Sequence, residues 1–262
     1  PTQNIGEIAM DWDKGILWVG TGENNSSRSS YSGIGILKTN ADGSNWKNVG
    51  LNDSHHVGKI LINPTNSDHV VVGVTGHLYS KNNNRGVYVS KDGGGTWVKT
   101  LYVNDMSGII DMSYTPGDFN TMYAVSWEKD RKAWNFDEDG NSSGIYKSFD
   151  GGENWELIST DDSGLPTGAG VGRIGLSVFD KDIVYAVVDN QNFRPNYEKK
   201  EDQGLTKESF IGMTVVDFNR IDVNDLRAFL RSNRFPSRYK PESIKKDISD
   251  GKLEPEDLYK YL

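Results

Sequence analysis

Short apolar runs separated by turn residues dominate the first three quarters of the chain. Four of them are rich in Val, Ile and aromatic residues and are bounded by Gly, Asn, Asp or Pro: GILWVGTG (15–22), HVVVGVTG (69–76), TMYAVSW (121–127) and DIVYAVVD (182–189). Runs of this kind are typical of β-strands. None reaches the roughly 18 residues that a membrane helix needs. The pattern therefore predicts an all-β array with no membrane span.

From about residue 204 the apolar residues take helical spacing instead, in VNDLRAFLRSNRF, PESIKKDISDG and EPEDLYKYL. Helix start and stop signals accompany this spacing at Asp222, Pro241, Pro255 and Gly251. We therefore predict two units, a β unit over 1–203 and a helical segment over 204–262. The polar stretch NFRPNYEKKEDQG (192–204) is interpreted as a linker or long loop.

The composition excludes several kinds of functional site and partner. The 262 residues include no Cys, which excludes a disulfide framework, a thiolate nucleophile and an iron–sulfur cluster. The chain has 29 Lys and Arg against 37 Asp and Glu, a net charge of −8, so a nucleic-acid partner is not expected. Residues 204–262 hold 11 basic and 10 acidic side chains, which leaves −9 on the β unit. A first residue of Pro rather than Met predicts a trimmed or mature fragment.

Three segments of the β unit repeat one pattern: KTNADGSNW (38–46), VSKDGGGTW (89–97) and KSFDGGENW (147–155). Each follows a strand-like segment and precedes a short strand, which predicts a hairpin turn. In such a turn an Asp carboxylate and a Ser hydroxyl bind backbone N–H groups, paired glycines supply positive φ, and the Trp covers the turn. The residues given these roles are Ser90, Asp92, Gly94, Trp97, Ser148, Asp150, Gly152 and Trp155.

These turns resemble the Asp-box, or bacterial neuraminidase, repeat of β-propellers, whose motif is Ser-x-Asp-Gly-Gly-x-Thr-Trp. The second copy matches every motif position, the third has Asn154 in place of Thr, and the first has Ala41 at the carboxylate position with Asp42 displaced by one. An unrelated meander of hairpins is the alternative.

The resemblance implies four-stranded blades, and the Trp residues of the repeats are 51 and 58 positions apart. The fold class expected is all-β, a partial β-propeller of about three blades plus the start of a fourth, with a small α-helical C-terminal segment. Because propellers close with 4–8 blades, we expect the remaining blades in a longer parent chain. The helical segment 204–262 is then an insertion within the propeller.

The resemblance also assigns faces, since the boxed turns lie away from the binding site of such propellers. The opposite face is expected to carry Glu23, Arg28, His55, His56, His77, Tyr79, Arg85, Asp105, Glu128, Arg131, Trp134 and Arg173. This mixture of carboxylates, cations and aromatic rings suits a polar, ring-shaped ligand. The alternative is that these are solvated loop residues, with a packing role for His55 or His56.

Two of these residues, Glu23 and Asp105, are the candidate catalytic pair, because a glycosidase needs two carboxylates roughly 5–10 Å apart. Tyr79 and Trp134 are candidate sugar-stacking platforms, and the other eight are candidate ligand-binding residues. We predict no cofactor and no metal. Asp137-x-Asp139-x-Asn141 imitates a calcium loop, but Ser148 stands where the loop needs Glu.

The wider stretch from GTGENNSSRSSYSG to SGIYKSFDGG resembles large exported bacterial proteins labelled glycosyl hydrolases, which are related to sortilin-type ectodomains and to xyloglucan-hydrolysing propellers. The resemblance implies an extracellular or periplasmic propeller that binds or hydrolyses polysaccharide. A non-catalytic protein- or peptide-binding module of sortilin type is the alternative, and a scaffold within a larger envelope protein is a third. The arginine triad of sialidases could not be matched in this sequence.

Overall fold

Three four-stranded antiparallel sheets and one two-stranded pair follow one another in a computed structural model that describes residues 4–192 and 204–261. In each sheet the strands are neighbours in chain order. The first sheet contains β1 Ile5–Asp11, β2 Ile16–Thr21, β3 Ile36–Asn40 and β4 Lys47–Asn48. The second contains β5 Val57–Asn63, β6 Asn66–Val74, β7 Gly86–Ser90 and β8 Val98–Leu101.

The third sheet is interrupted by a small hairpin and the fourth has two strands. The third contains β9 Ser107–Thr115, β10 Asp118–Glu128, β13 Gly144–Ser148 and β14 Glu156–Leu157, with the hairpin β11 Asp130–Arg131 and β12 Phe136–Asp137 between its second and third strands. The fourth contains β15 Val171–Val178 and β16 Val184–Asn190. The first strands, β1, β5, β9 and β15, lie beside one another from sheet to sheet. This confirms the predicted partial propeller of three blades and the start of a fourth.

Each pair of consecutive blades buries a shared apolar layer. In β6, Val70, Val72 and Val74 pack into the layer against the first blade. Val71, on the opposite face of the same strand, packs against the third blade. Because successive side chains point to opposite faces, a strand between two blades must be apolar on both. That explains why the second strands are continuous apolar runs in the sequence.

Glycines near the start of the first strands allow the blades to come this close. A Cβ on Gly58 of β5 would lie 2.5 Å from the carbonyl oxygen of Ile109 in the next blade. A Cβ on Gly108 of β9 would lie 2.4 Å from the backbone of Thr75. Backbone atoms cannot move aside as a flexible side chain can, so these positions accept no side chain.

The second copy of the repeat forms a dense turn between β7 and β8. Ser90 Oγ donates to Asp92 Oδ1 at 2.8 Å and accepts from the N–H of Gly94 at 2.8 Å. The N–H and the hydroxyl of Thr96 donate to the two Asp92 oxygens, each at 2.8 Å. The hydrogen bonds from Thr96 and then Ser90 lower the pKa of the Asp92 carboxyl to about 2.

The third copy, between β13 and β14, reproduces this turn with a different donor. The side-chain amide of Asn154 donates to Asp150 Oδ2 at 2.7 Å, the bond that a Thr hydroxyl makes in the second copy. Ser148 Oγ accepts from the N–H of Gly152 at 3.0 Å. Burial opposes ionisation of Asp150, yet the hydrogen bonds from Asn154 and Ser148 lower its pKa. The first copy is simpler, since Asp42 accepts from the N–H of Ser44 at 2.9 Å.

These turns also join consecutive blades. Lys38 Nζ of the first blade donates to the Gly93 carbonyl of the second at 3.0 Å. A ring nitrogen of His69 in the second blade lies 2.9 Å from the Gly151 carbonyl of the third. The indole N–H of Trp97 donates to the Val49 carbonyl at 2.7 Å. The second and third turns are therefore part of the contact with the preceding blade.

Residues Arg194–Leu262 form a second compact unit, separate from Pro1–Phe193. Its helices are α1 Val215–Arg220, α2 Val223–Ser232, α3 Pro241–Ser249 and α4 Asp257–Lys260. Asp222 caps α2 by accepting from the N–H of Asn224 at 2.7 Å, and Pro241 opens α3. Its core contains Phe210, Phe218, Leu226, Phe229, Leu230, Ile244, Ile248 and Leu258.

Residues 193–203 of the predicted linker (192–204) lie outside the described ranges. Within those ranges, every helix is too short or too polar to cross a membrane.

Gly58→Ala is expected to lower the free energy of unfolding of the first unit by about 1–3 kcal/mol, because the new methyl group overlaps the Ile109 carbonyl of the next blade. Thermal unfolding followed by Trp fluorescence measures this, since all seven Trp lie before residue 156. Gly175→Ala is the matched control, because the nearest atom to its added Cβ is 3.9 Å away. Equal effects of the two substitutions would contradict the proposed limit on blade spacing.

Candidate functional site

Chain direction sorts the loops of the first unit onto two ends of the sheets. Because neighbouring strands are antiparallel, the loop between second and third strands and the connection to the next sheet leave from one end, which we call the upper end. The boxed turns join third and fourth strands and lie at the other, lower end. The twelve predicted site residues belong to the upper half of this arrangement.

Nine of those residues lie in upper loops: Glu23, Arg28, His55, His56, His77, Tyr79, Arg85, Asp105 and Trp134. The other three belong to strands rather than loops. Glu128 ends β10, a strand of 11 residues, and Arg131 lies in β11. Arg173 lies in β15. The sequence pattern placed Arg131 in a loop because it did not predict that the segment after β10 folds into a hairpin.

A cleft of about 230 Å³ opens at the upper end of the first two sheets. Imidazole rings, a phenol ring and hydroxyl groups dominate its walls, from His55, His56, His77, Tyr79, Ser30 and Ser32. The rings of His55 and His77 stack, with centroids 3.6 Å apart and an interplanar angle of 14°. Across residues 4–192 and 204–261, no three His, Asp or Glu side chains are grouped closely enough to hold a metal ion. The cleft thus offers flat rings and hydrogen-bonding groups.

Backbone contacts hold this ring pair in place. A ring nitrogen of His77 lies 3.0 Å from the Asp53 carbonyl oxygen. His55 has a φ of 55°, in the left-handed region that L-residues rarely adopt. Its carbonyl accepts from the N–H of Gly33 at 2.6 Å, and a Cβ on Gly22 would lie 1.8 Å from the same oxygen. Two glycines of the neighbouring loop therefore permit the strained conformation that presents the His55 ring.

Tyr79 is anchored at one end and open at the other. Its hydroxyl donates to the Arg28 carbonyl at 2.8 Å, while 49% of the residue remains exposed. The ring is therefore held in one position with its surface available to a ligand.

His56 forms the buried side of the cleft. The residue is 4% exposed, and its Nδ1 has no hydrogen-bond partner in the described part of the chain. Burial, reinforced by the positive charge of Lys129, lowers the pKa of His56 to about 4. Its imidazole is therefore neutral at pH 7.

Sequence reasoning missed Lys129, which is central to this end of the molecule. Lys129 is 3% exposed, and its ammonium group lies 4.2 Å from the centroid of the Trp127 ring. Burial, and then repulsion from Arg85 and Arg173, hold its pKa well below the ordinary value, while Glu23 opposes the shift. The polar run WEKDRK predicts a solvated Lys, and the preceding Trp is the one local signal against that.

Arg85 and Arg173 organise the loops around Lys129. Arg85 is 1% exposed and donates to the carbonyls of Thr75 at 2.7 Å and His77 at 2.6 Å. Burial lowers the pKa of Arg85 to about 10, although Asp105 opposes this. Arg173 of the fourth blade donates to the side chain of Asn25, in the loop after β2, at 3.1 Å. Both side chains thus position the upper loops.

The Glu23 carboxylate is held by its own loop. It accepts from the N–H of Asn25 at 2.5 Å, from Ser27 Oγ at 3.4 Å and from Ser30 Oγ. These bonds fix the orientation of the carboxylate and occupy most of its capacity to accept hydrogen bonds.

The two predicted catalytic carboxylates border one cluster of cations. Glu23 attracts Lys129, Asp105 attracts Arg85, and these two cations repel each other. Glu128, in contrast, accepts from the N–H of Ser142 at 2.8 Å and ties the end of β10 to the loop before β13.

The predicted aromatic and cationic residues of the third blade differ in exposure. Trp134 is 84% exposed in the loop between β11 and β12. The Arg131 guanidinium lies 4.7 Å from the Phe136 ring centroid, so it packs against the hairpin. Trp134 is therefore the residue of this blade most open to a ligand.

No protein-family model matches the sequence, and no curated protein matches it. Among solved structures, an ancestral GH74 enzyme is similar, with a TM-score of 0.52 at 15% identity over 76% of this chain and 25% of that one. The GH74 xyloglucanase from Xanthomonas campestris matches with a TM-score of 0.43 at 16% identity, over 72% of this chain and 29% of that one.

YCF48 from Cyanidioschyzon merolae matches with a TM-score of 0.44 at 16% identity, over 72% of this chain and 49% of that one. This chain thus spans between a quarter and a half of the length of these structures. The likeness to the ancestral GH74 enzyme supports the β-propeller fold.

Acidification from pH 6.5 to pH 4 is expected to destabilise the first unit, in part through His56. The folded pKa of His56 is about 4, below its ordinary value of 6.5. Between these values the unfolded chain binds a proton that the folded one does not, so the free energy of unfolding falls as pH falls. The contribution is about 3 kcal/mol in total.

His56→Gln should flatten the pH dependence of the unfolding free energy in this window, as measured by urea titration with Trp fluorescence. His77→Gln, which removes an imidazole from the open side of the same cleft, is the control. An unchanged slope in His56→Gln would show that this buried imidazole does not carry the effect.

Proposed function

We propose that this chain is part of an exported Asp-box propeller that binds polysaccharide at its upper end and, with Glu23 and Asp105, hydrolyses it. The observation that carries the proposal is the cleft in which the stacked His55–His77 pair stands beside the half-exposed Tyr79 ring. Sugar rings pack on flat aromatic surfaces and bind hydroxyls and amides through their own hydroxyl groups.

The Asp-box assignment is supported by the turn chemistry at the lower end. Asp92 and Asp150 each accept hydrogen bonds from the residue four positions on, through its backbone and its side chain. Two turns with different residues at that position thus reach one geometry. This is the arrangement that the motif Ser-x-Asp-Gly-Gly-x-Thr-Trp requires.

Hydrolysis would need Glu23 and Asp105 to act as a pair across the glycosidic bond. Glu23 interacts with Lys129 and Asp105 with Arg85, and these two cations interact with each other, which supports a shared location.

The second candidate function is a non-catalytic protein- or peptide-binding module of sortilin type. A specific observation favours it: the Glu23 carboxylate already accepts three hydrogen bonds within its own loop. A carboxylate so engaged serves to order the loop, and the same upper end would then bind a ligand without chemistry.

We further propose that blades in a longer parent chain complete the propeller, with residues 204–262 inserted between strands of the fourth blade. The fourth blade has two strands in the described residues. Tyr185 and Val187 of β16 are 63% and 79% exposed. Apolar side chains at this position would be covered by further strands.

Trp134→Ala and Tyr79→Ala are each expected to weaken polysaccharide binding at least fivefold, because each removes an exposed ring at the upper end. Affinity electrophoresis against a panel of soluble polysaccharides measures this. Trp12→Ala is the matched control, since Trp12 is also 84% exposed but lies between β1 and β2, at the lower end.

Reducing-sugar release by the wild type and by Glu23→Gln separates the two functions. Hydrolysis that Glu23→Gln abolishes supports the enzyme. Binding of a peptide panel that survives Glu23→Gln and Asp105→Asn, with no polysaccharide retained, supports the second function. Equal losses of polysaccharide affinity in Trp12→Ala and Trp134→Ala would show that the upper end is not the binding site.

A further inference from the structure

A groove of about 570 Å³ runs along one side of the helical unit. The C-terminal half of α2, residues 233–240 and the start of α3 form its walls. Its lining combines cations with apolar surface, chiefly Arg227, Arg231, Lys240, Leu230, Phe235 and Tyr239. Nothing in the proposed function of the first unit uses this groove.

Charge is segregated around the groove. Residues 227–240 carry five cations and no carboxylate: Arg227, Arg231, Arg234, Arg238 and Lys240. One carboxylate, Glu242 at the start of α3, lines the groove, and it pairs with Arg227 at 2.9 Å. Within residues 204–261, Arg227 is the member of this set that forms an ion pair. Arg231 and Lys240 therefore give the groove positive charge that the unit itself does not pair.

The turn after α2 carries one of these cations at a conformational cost. Arg234 has a φ of 56° and follows the helix in a Schellman arrangement. The N–H of Phe235 donates to the Leu230 carbonyl at 3.0 Å, and the N–H of Arg234 donates to the Arg231 carbonyl at 3.1 Å. Glycine is the usual residue at this position because it has no Cβ. A basic side chain here adds charge to the turn beside the groove, at a position where glycine would relieve strain.

The floor of the groove is apolar and rigid. Leu230 is 4% exposed and belongs to the helical core. The Phe235 ring stacks on Tyr261 at 4.5 Å with an interplanar angle of 22°, and the Arg238 guanidinium lies 5.1 Å from the Tyr239 ring centroid. Packed rings of this kind form a fixed surface for an apolar side chain.

We propose that this groove binds an acidic peptide segment of a partner protein. The segment inserts an aliphatic or aromatic side chain against Leu230 and Phe235, and its flanking carboxylates pair with Arg231 and Lys240. An apolar anchor inside a charged rim is how short peptides gain both affinity and specificity. Arg is well suited to the rim, because its planar guanidinium binds a carboxylate through two parallel hydrogen bonds.

The apolar floor favours a peptide over an acidic polysaccharide. A uronate chain would satisfy the cations, but its hydroxyl-bearing rings would leave the Leu230 and Phe235 surface without an apolar partner. A peptide with an aliphatic anchor satisfies both parts of the groove.

The test is fluorescence anisotropy with the full 262-residue chain. The probe is a labelled ten-residue peptide with two central leucines and four glutamates on each side. A second peptide replaces the leucines by serines, and a third replaces the glutamates by glutamines. Oligogalacturonate is the competing anionic probe, measured by displacement of the labelled peptide and by calorimetry.

We expect Arg231→Glu with Lys240→Glu to weaken binding of the first peptide at least tenfold. Each peptide variant should also bind at least fivefold more weakly than the first peptide. Arg220→Glu with Lys246→Glu is the matched control, since it makes the same charge change at exposed positions of α1 and α3 and should weaken binding less than twofold. Arg231→Gln with Lys240→Gln replaces the reversal variant if helical circular dichroism shows that it does not fold.

Equal weakening by the two charge-reversal pairs would overturn the proposal, because it would indicate long-range attraction without a site. Absence of peptide binding, or binding of oligogalacturonate alone, would also overturn it. These outcomes are independent of the polysaccharide assays on the upper end, which read different residues in the other unit.

Discussion

Face-to-face contact between consecutive β-sheets is the interaction on which the first unit depends. The second strands of the second and third sheets, β6 and β10, each lie between two neighbouring sheets and must be apolar on both faces. The first strands approach so closely that Gly58 and Gly108 leave no room for a methyl group. The boxed turns add hydrogen bonds between blades, from Lys38 and His69 to turn carbonyls. Contacts with neighbouring blades therefore contribute to the stability of each blade.

This packing also determines what the upper end can be. Because the sheets are aligned, the loops between second and third strands and the connections between sheets all lie at the upper end. Charged residues from different blades therefore come together there. Lys129, Arg85 and Arg173 come from separate loops and strands, yet they interact electrostatically in a mostly buried region. Burial makes His56 a neutral hydrogen-bonding group instead of a cation. The cleft beside it presents imidazole rings and a phenol ring.

The helical unit is stabilised differently, because it has a small core of its own built from aromatic and aliphatic residues. Its caps are local: Asp222 starts α2 through one hydrogen bond, from the N–H of Asn224. With a nearly neutral total charge, the unit still places five of its 11 basic residues, and none of its acidic ones, in residues 227–240. Such separation creates a local field that a balanced composition conceals.

The blade pattern, the turn chemistry and the helix starts could be predicted from the amino-acid sequence, because each depends on residues within a few positions of one another. Asp92, Asp150, Asp222 and Pro241 act locally, so their roles could be predicted. The twelve proposed site residues could be assigned to an end of the sheets, but not to contacts. The stacking of His55 on His77, the bonds from Arg85 to loop carbonyls and the burial of Lys129 could be seen only in the tertiary structure. Those outcomes depend on which distant segments enclose a side chain, and hence on desolvation, which local sequence does not encode.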